Sequence, residues 1–322
     1  MSDTPSRRTF LRNTLIGCAG ATGLTSGAFL LRDEGRHAQP REATLVRQVR
    51  DYTAQPAPAP QLIIATGPPE AAIQKAIDAL GGMAQFIRPN EHVVIKPNIG
   101  WDRTPLQAAN TNPILVAALV RLCFAAGAAR VVVTDNSCND PARCFTRSGI
   151  WKHAEEAGAE VILPAPHRFR TIDIGGAVLG KMPVLMPAIS AHRFINVPIA
   201  KHHGFSHFTG AMKNLYGVLG GRRNRLHQRI DESIADLADF IRPTLTVMDA
   251  TRVLFRNGPQ GGDLADTRAV GQVIASTDPV AVDAYACTLV DVPADKLPYL
   301  ALGMQRGLGT ADLSKIIQKE VR

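Results

Sequence analysis

"HVVIKPNIGWDRTPLQAANTNPILVAALVRLCFAAGAARVVVTD", residues 92–135, contains two short runs of β-branched residues separated by a long apolar segment. The runs "HVVIKP" and "RVVVTD" are typical of buried strands, and residues 113–126 have the spacing of a helix. A strand, a helix and a second strand in this order predict two parallel strands joined by a crossover. This stretch therefore indicates an α/β fold.

The same alternation continues in both directions along the chain. Further strands are predicted at "LIIAT", "EVILP", "FINVPI", "LTVMD" and "GQVIAS", and further helices over residues 69–80, 141–157 and 279–290. Three helices begin with an Asx–Pro pair, whose side chain can accept hydrogen bonds from the first free amides: Asn112-Pro113, Asp140-Pro141 and Asp278-Pro279. We expect a mainly parallel sheet with helices on both faces, in Rossmann-like layers.

Composition and charge narrow the range of partners. The chain has 322 residues, of which 45% are hydrophobic and 20% charged, and this is the composition of a globular protein. The formal net charge of +8 favours a small anionic ligand or an anionic surface. Aromatic residues make up 5%, and no basic stretch interleaves with them, so nucleic acid is not an expected partner.

The N-terminus predicts the compartment. Residues 6–12, "SRRTFLR", precede a weakly apolar run over residues 13–31 and resemble a twin-arginine export signal. We predict the twin-arginine translocase as a partner and a periplasmic location, with membrane contact only through an uncleaved signal; lipidation at Cys18 stays open. The predicted division is a signal over residues 1–37, a Pro/Ala-rich linker over 38–60 and a single α/β domain over 61–322.

The five cysteines limit the cofactors. They lie at positions 18, 123, 138, 144 and 287 without a C-x-x-C pair, so their spacing excludes a local zinc ribbon or ferredoxin-type cluster. An iron–sulfur cluster is therefore not expected. Cys138 and Cys144 flank a loop, and a disulfide between them is one alternative in an oxidising compartment, with two free thiols as the other.

Polar residues follow five of the predicted strands. They are Lys96 and Asn98, Asp135 and Asn136, Lys201 to His203, Asp249, and Asp278. Because ligands of open α/β sheets bind beyond the carboxyl ends of the strands, we expect these five ends to meet at one edge. Lys96, Asn98 and Lys201 are predicted there as ligands of a carboxylate or phosphate; for Lys96 the alternative is a lysine that extends from the end of the sheet into solvent.

The densest cluster of titratable residues lies in "AKHHGFSHFTGAMKNLYG", residues 200–217. His203 and His207 are candidates for proton transfer, with metal ligation as the alternative. Lys213 is unusually polar for its apolar surroundings and is a third catalytic candidate. Gly210 permits a ligand to approach the backbone closely. The following "GGRRNRLHQR" is predicted as a solvated loop, with an anion clamp or lid as the alternative.

Two acidic residues in "STDPVAVDAYACTLV" have different explanations. Asp278 is most simply a helix cap. Asp283 is surrounded by apolar residues, where an unpaired carboxylate is costly, so it needs a partner. Lys96, Lys213 or a divalent metal bound by Asp278 and Asp283 could fill that place.

Four motifs together carry a resemblance to a known family. In this order, "VVIKPN", "FINVPIAKHH", "TGAMKNLYG" and "STDPVAVDA" resemble the family called domain of unknown function 362, over roughly residues 62–292. The resemblance implies shared positions at Lys96, Pro97, Asn98, Pro198, Lys201, His203, Thr209, Gly210, Lys213, Asn214, Asp278, Pro279 and Asp283. It adds Thr209 and Asn214 to the predicted substrate-binding residues. Some relatives append a ferredoxin-like segment, whose cysteines this chain lacks.

A looser similarity connects "HHGFSHFTGAMK" with the lactate racemase family, in which paired histidines and a lysine that holds a nickel-pincer cofactor lie near a Gly-rich turn. The first hypothesis is an exported enzyme for a small anionic substrate, with a metal or organic cofactor, that catalyses isomerisation or proton abstraction next to a carbonyl. The alternative is a non-catalytic binding or maturation factor for an iron–sulfur or other redox enzyme. An electron carrier is the third hypothesis and would need a bound cluster or flavin.

Overall fold

The structure, a computed structural model, describes residues 50–54, 59 and 61–322. The predicted export signal, Cys18 and most of the predicted linker lie outside these residues. Within the described ranges, none of the helices has the length and apolar character needed to cross a membrane.

The described residues include fourteen strands. Their bounds are β1 Arg50–Asp51, β2 Gln61–Thr66, β3 His92–Pro97, β4 Arg130–Thr134, β5 Glu160–Ile162, β6 Phe169–Asp173, β7 Lys181–Leu185, β8 Arg193–Val197, β9 Ile199–His203, β10 His207–Thr209, β11 Ile241–Arg242, β12 Leu245–Leu254, β13 Thr267–Ser276 and β14 Ile317–Val321.

The helices lie mainly between these strands. The α-helices are α1 Pro69–Ala79, α2 Pro113–Ala125, α3 Pro141–Arg147, α4 Ile150–Glu156, α5 Met186–Ile189, α6 Ala211–Asn214, α7 Ile230–Phe240, α8 Pro279–Ala286 and α9 Pro298–Gln305. Short 3₁₀ helices are Met83–Gln85, Pro105–Gln107, Pro166–Arg168, Leu215–Val218, Arg223–Arg229, Leu264–Asp266, Cys287–Val290, Ala294–Lys296 and Leu313–Lys315.

One large mixed sheet organises the fold. Its strand order is β14-β2-β13-β12-β8-β3-β4-β5, with β9 paired to β12 and β10 paired to β9. The pairs within β8-β3-β4-β5 are parallel, as are β12 with β8 and β14 with β2. Strand β13 is antiparallel to both of its neighbours. The sheet is therefore mostly parallel with one central strand reversed.

Alternating apolar residues bury both faces of the sheet. Ile64, Val94 and Val132 belong to one core cluster, which includes residues of α6, α7, α8 and α9. Ile63, Val93 and Val131 belong to the other, with residues of α1, α2, α3 and α4. Because successive side chains of a strand point to opposite faces, a continuous apolar run fills both layers. The predicted α/β class with helices on both faces is confirmed.

Local signals set the helix ends. Asn112, Asp140 and Asp278 each accept a hydrogen bond from a first-turn amide, so the three predicted Asx–Pro caps are confirmed. The single helix predicted over residues 141–157 is wrong, because Gly149 adopts φ +75° and separates α3 from α4. The helix predicted over residues 279–290 ends earlier, at Ala286, and is followed by the 3₁₀ helix Cys287–Val290.

The reversed strand changes one prediction about the site. The end of β13, at Ser276, pairs with Thr246 near the start of β12. The expectation that five strand ends share an edge is therefore wrong for Asp278, which follows β13 at the opposite edge. No signal in the sequence indicated this reversal, because an apolar run such as "GQVIAS" does not specify the direction of its strand.

The folded body includes residues that precede Gln61. β1 pairs in parallel with β11, and the Tyr52 hydroxyl donates a hydrogen bond to the Ala188 carbonyl oxygen at 3.0 Å. Tyr52 and Ala54 are both buried. Part of the region predicted as linker is thus packed on the domain.

Candidate functional site

A cavity of about 530 Å³ lies beyond the carboxyl ends of β3, β4 and β9. It is lined by seven of the eleven predicted site residues: Lys96, Asn98, Lys201, His203, Thr209, Lys213 and Asn214. Residues separated by more than a hundred positions meet there because parallel strands deliver their ends to one edge.

A buried ion pair forms the floor of this cavity. Lys96 Nζ lies 2.8 Å from Asp135 Oδ1, and both side chains are almost fully buried. Burial lowers the pKa of Lys96, and the Asp135 carboxylate opposes that shift. A Cβ at Gly217 would overlap the Asp135 carboxylate and lie 2.6 Å from Lys96 Nζ. The absence of a side chain at Gly217 is what lets this turn cover the ion pair.

Three asparagines connect the elements around the ion pair. Asn98 Nδ2 donates to Asn214 Oδ1 at 3.0 Å, and Asn214 Nδ2 donates to Asn196 Oδ1 at 2.9 Å. Asn196 Nδ2 in turn donates to the Ala211 carbonyl oxygen. A satisfied buried network of this kind fixes side-chain orientation. Asn196 was not predicted, since it looks like one polar residue within an apolar strand.

Lys201 and Lys213 differ from Lys96 in their partners. Lys201 Nζ donates to Asn98 Oδ1 at 3.0 Å and to the Ala109 carbonyl oxygen at 2.6 Å. Lys213 Nζ lies 4.4 Å from the centroid of the Tyr216 ring, and it has no hydrogen-bond acceptor among the described residues. Neither amine is within ion-pair distance of a carboxylate in the described ranges.

Burial changes the charge of these two amines. It lowers the pKa of Lys201 to about 7 and that of Lys213 to about 8. Neighbouring cations lower both pKa values further. Lys213 and Lys96 act on Lys201, and Arg223 acts on Lys213. Both amines can therefore gain or lose a proton near neutral pH.

His203 has a defined tautomer. Its Nδ1 accepts hydrogen bonds from the backbone amides of Phe205 at 3.1 Å and Ser206 at 3.3 Å, so the ring proton lies on Nε2. Burial, reinforced by Lys213 and Lys201, lowers the pKa of His203 to about 2. The ring is a neutral hydrogen-bond donor at physiological pH, and this geometry favours donation over the proton carrying predicted from the sequence.

Thr209 presents a hydroxyl with no partner. Its side chain is 4% exposed and lines the cavity, yet Oγ1 has no hydrogen bond to any described residue. Leaving a buried hydroxyl unpaired is costly. A ligand oxygen in the cavity would satisfy it.

Four predicted site residues do not line the cavity. His207 is exposed and pairs with His203 across the β9–β10 hairpin. Asp278 accepts hydrogen bonds from the amides of Ala281 and Thr310 at the opposite edge. Gly210 is packed against Asp283, whose side chain a Cβ at this position would overlap.

Asp283 lies directly behind the cavity wall. Its carboxylate accepts hydrogen bonds from the amides of Ala211 and Met212, the latter at 3.1 Å. Burial raises the pKa of Asp283 to about 7, and these two amides oppose the shift. The predicted partner, a lysine or a metal, is thus replaced by backbone amides that hold α6 in place.

The residues of the cavity suit an anion better than a cation. Among the described residues, no group of three or more His, Cys, Asp or Glu side chains is arranged to hold a metal. Asp278 and Asp283 are occupied by amides, and Asp135 is paired with Lys96. Lysine and the asparagine amides supply donors, whereas a divalent cation needs several acceptors.

Arginine and aromatic side chains complete the lining. Arg223, from the loop predicted as solvated, donates to the carbonyl oxygens of Asn136 at 2.8 Å and Ser137 at 2.9 Å. Other lining residues that the sequence did not identify are Trp101, Phe205, Tyr216, Asn224 and His227. Trp101 and Phe205 lie in loops and the other three in short 3₁₀ helices, so none had a periodic signal. The position of Asp135 at a strand end had placed it correctly.

Of the two alternatives for Cys138 and Cys144, the structure has the free thiols. Cys138 is an exposed free thiol that lines the cavity, and Cys144 is a buried free thiol. Burial raises the pKa of Cys144 to about 11.

Comparisons with known proteins agree with the family resemblance. The family model described as domain of unknown function (DUF362) matches residues 93–288. A thylakoid-associated protein of a Synechocystis strain is 24% identical over 246 residues, which cover 74% of this chain and 75% of that protein.

Two solved structures are similar at lower levels. A protein from Thermotoga maritima aligns with a TM-score of 0.40 and 12% identity, over 70% of this chain and 60% of that one. The lactate racemase apoprotein from Thermoanaerobacterium thermosaccharolyticum aligns with a TM-score of 0.41 and 12% identity, over 71% of this chain and 56% of that one. This chain spans less than two thirds of either structure.

Proposed function

We infer that this chain, which belongs to the family of domain of unknown function 362, is an enzyme that binds a small carboxylate or phosphate and moves a proton next to it. One observation carries the proposal. Lys213, a buried amine without an acceptor or carboxylate partner among the described residues, lines a cavity beside the unpartnered Thr209 hydroxyl. An anionic ligand would satisfy both groups at once.

The geometry supports an exchange of the roles first predicted for the two lysines. Lys201 has the lower pKa, and its two acceptors would bind both N–H groups of the neutral amine, which leaves the nitrogen lone pair for a substrate proton. Lys213 has the higher pKa and keeps its positive charge longer as pH rises. We therefore propose Lys201 as the general base and Lys213 as the anion ligand.

His203 and Thr209 would serve the charge that develops during the reaction. Removing a proton from the carbon next to a carbonyl or carboxylate places negative charge on an oxygen. The Nε2–H of a neutral His203 and the Thr209 hydroxyl are donors of the required kind. The chemistry therefore corresponds to isomerisation or racemisation through a stabilised oxyanion.

The test combines binding with proton exchange. Purified protein is mixed with acetate, lactate, pyruvate, phosphate and glycerol 3-phosphate, and its melting temperature is measured for each. In deuterium oxide, proton NMR then follows loss of the C–H signal next to the carboxylate or ketone of acetate, lactate and pyruvate, whereas the two phosphates test binding alone. We expect stabilisation by at least one anion together with C–H exchange.

Two outcomes would count against this proposal. Binding without exchange would favour the alternative, a non-catalytic binding or maturation factor. Failure of all five anions to stabilise the protein would exclude these small anions as ligands of the site. As a control, Lys75→Met changes an exposed lysine of α1 and should leave both measurements unaltered.

We also propose export by the twin-arginine route, supported by the sequence "SRRTFLR". Cells that express the full chain should contain it in the periplasm, and the double substitution Arg7→Lys, Arg8→Lys should retain it in the cytoplasm. The intact mass of the periplasmic protein reports whether the signal is removed.

A further inference from the structure

Aromatic rings form a continuous wall on one side of the cavity. His203 and His227 are nearly parallel, with an interplanar angle of 16° and ring centroids 5.9 Å apart. Phe205 contacts His227 at 5.4 Å between centroids, and Tyr216 contacts it at 6.3 Å. All four residues line the cavity, and we call them the aromatic wall.

The aromatic wall directly adjoins the proposed anion ligand. Lys213 Nζ lies 4.4 Å from the Tyr216 ring centroid, so an anionic group at Lys213 lies beside an aromatic face. Trp101 also lines the cavity. A ligand that uses both features needs its charge close to a planar, apolar part.

The volume of the cavity and the exposure of Phe205 also favour a ligand with a planar, apolar part. A water molecule takes about 30 Å³ of liquid volume, so a carboxylate of a few atoms would leave most of the cavity of about 530 Å³ unfilled. Phe205 is 72% exposed although it borders this cavity. An exposed phenyl ring at the mouth of a cavity is available to cover a ligand.

We propose that the ligand of this cavity is an aromatic anion, in which a carboxylate or phosphate is attached to or near a planar ring. This inference rests on the proposed function and specifies its substrate class. The charged group contacts Lys213 and Thr209, and the ring lies against Phe205 and the histidines. Aromatic rings prefer offset-stacked or edge-to-face contacts with other rings, which the wall offers.

Tryptophan fluorescence can test this proposal. The chain has two tryptophans, and Trp151 packs against Phe145 away from the cavity. Trp151→Phe therefore leaves Trp101 as the fluorescent reporter. Benzoate, cyclohexanecarboxylate and acetate are titrated as one series, and phenyl phosphate and inorganic phosphate as another, so that carboxylate and phosphate ligands are distinguished.

We expect the ring-bearing anions to bind more tightly, with benzoate exceeding cyclohexanecarboxylate about 3- to 10-fold because only the planar ring can stack. In the same background, Phe205→Ala should remove most of this preference without changing acetate or phosphate affinity. Phe205→Leu keeps apolar bulk and should restore binding of cyclohexanecarboxylate but not the preference for benzoate. Leu264→Ala, at another exposed apolar residue, is the matched control.

The outcomes separate the two proposals. Equal affinity for benzoate, cyclohexanecarboxylate and acetate, unaffected by Phe205→Ala, would overturn the aromatic ligand and leave the anion site intact. Absence of binding by every probe would overturn both. A preference for the aromatic member in only one series supports the proposal and identifies the charged group.

Discussion

Two buried charged regions of this protein behave in opposite ways. Asp278 and Asp283 receive hydrogen bonds from backbone amides, which hold the loops around α6 and α8. Lys213 has no such partner among the described residues, and Lys201 has two neutral acceptors without a carboxylate. A buried charge that the fold already satisfies is structural, whereas one left for a ligand indicates a site.

The largest effect should follow from removing the proposed base. Lys201→Met should lower the rate constant of C–H exchange about 10³-fold, because general bases contribute about 10²- to 10⁴-fold. The affinity for the anion should change little, as Lys213 is retained. Single-turnover exchange and calorimetric binding measure the two quantities separately. Equal losses in rate and affinity would show that Lys201 binds the anion instead.

The structural carboxylate should affect folding. Asp283→Ala leaves the amides of Ala211 and Met212 without an acceptor and should lower the free energy of unfolding by about 3 kcal/mol. Urea denaturation measures this value. Asp295→Ala, at an exposed position, should change it by less than about 0.5 kcal/mol. A similar small change for Asp283→Ala would contradict the comparison.

Replacing Lys213 should weaken ligand binding and not folding, the reverse of the effect expected for Asp283→Ala. Lys213→Met should weaken anion binding about 10- to 100-fold, in line with a lost charged hydrogen bond. The same change removes a buried amine that is costly to charge, so the melting temperature without ligand should stay the same or rise. Calorimetry with the best anion and thermal denaturation test both parts. A large loss of stability would make Lys213 structural.

The smallest expected effect is the pH dependence of kcat/KM. The pKa of Lys201 is lowered to about 7, so the neutral base accumulates as pH rises through this value. The pKa of Lys213 is lowered to about 8, so the cation is lost above it. The ratio kcat/KM should therefore peak between these values and change about tenfold per pH unit on either side. A flat profile from pH 6 to 9 would exclude these two roles.

The same two shifts predict the pH dependence of stability without ligand. Both lysines have folded pKa values below the unfolded value of 10.5, so between about 8 and 10.5 the unfolded chain binds more protons. Stability should rise with pH over that window as far as these groups determine it.

The sequence predicted the fold and much of the cavity because both follow from strand ends. Lys96, Asn98 and Lys201 were identified by their position after apolar runs, and the structure brings them together. The direction of β13 could not be predicted, since a reversed strand buried on both faces has the same composition as a parallel one. This is why Asp278 was assigned to the wrong edge.

Other differences come from contacts that spacing cannot reveal. His203 and His207 are alike in the sequence, yet the hairpin buries one and exposes the other. The partner of Asp283 is a pair of backbone amides, which no sequence pattern specifies. The aromatic wall combines Phe205 and Tyr216 with His227 from a 3₁₀ turn, so its members share no periodicity.

The reversal of β13 has a consequence for how the cavity acquires its charge. It places the start of α8 at the far edge, while α6, whose residues Lys213 and Asn214 line the cavity, has its first amides bound by Asp283. The attraction of the cavity for anions therefore comes from side-chain cations: the permanent charge of Arg223 and the two amines that titrate, Lys201 and Lys213. Because an anion favours the charged form of each amine, loading the cavity will draw protons from the solvent, and the surrounding acidity becomes part of the binding equilibrium.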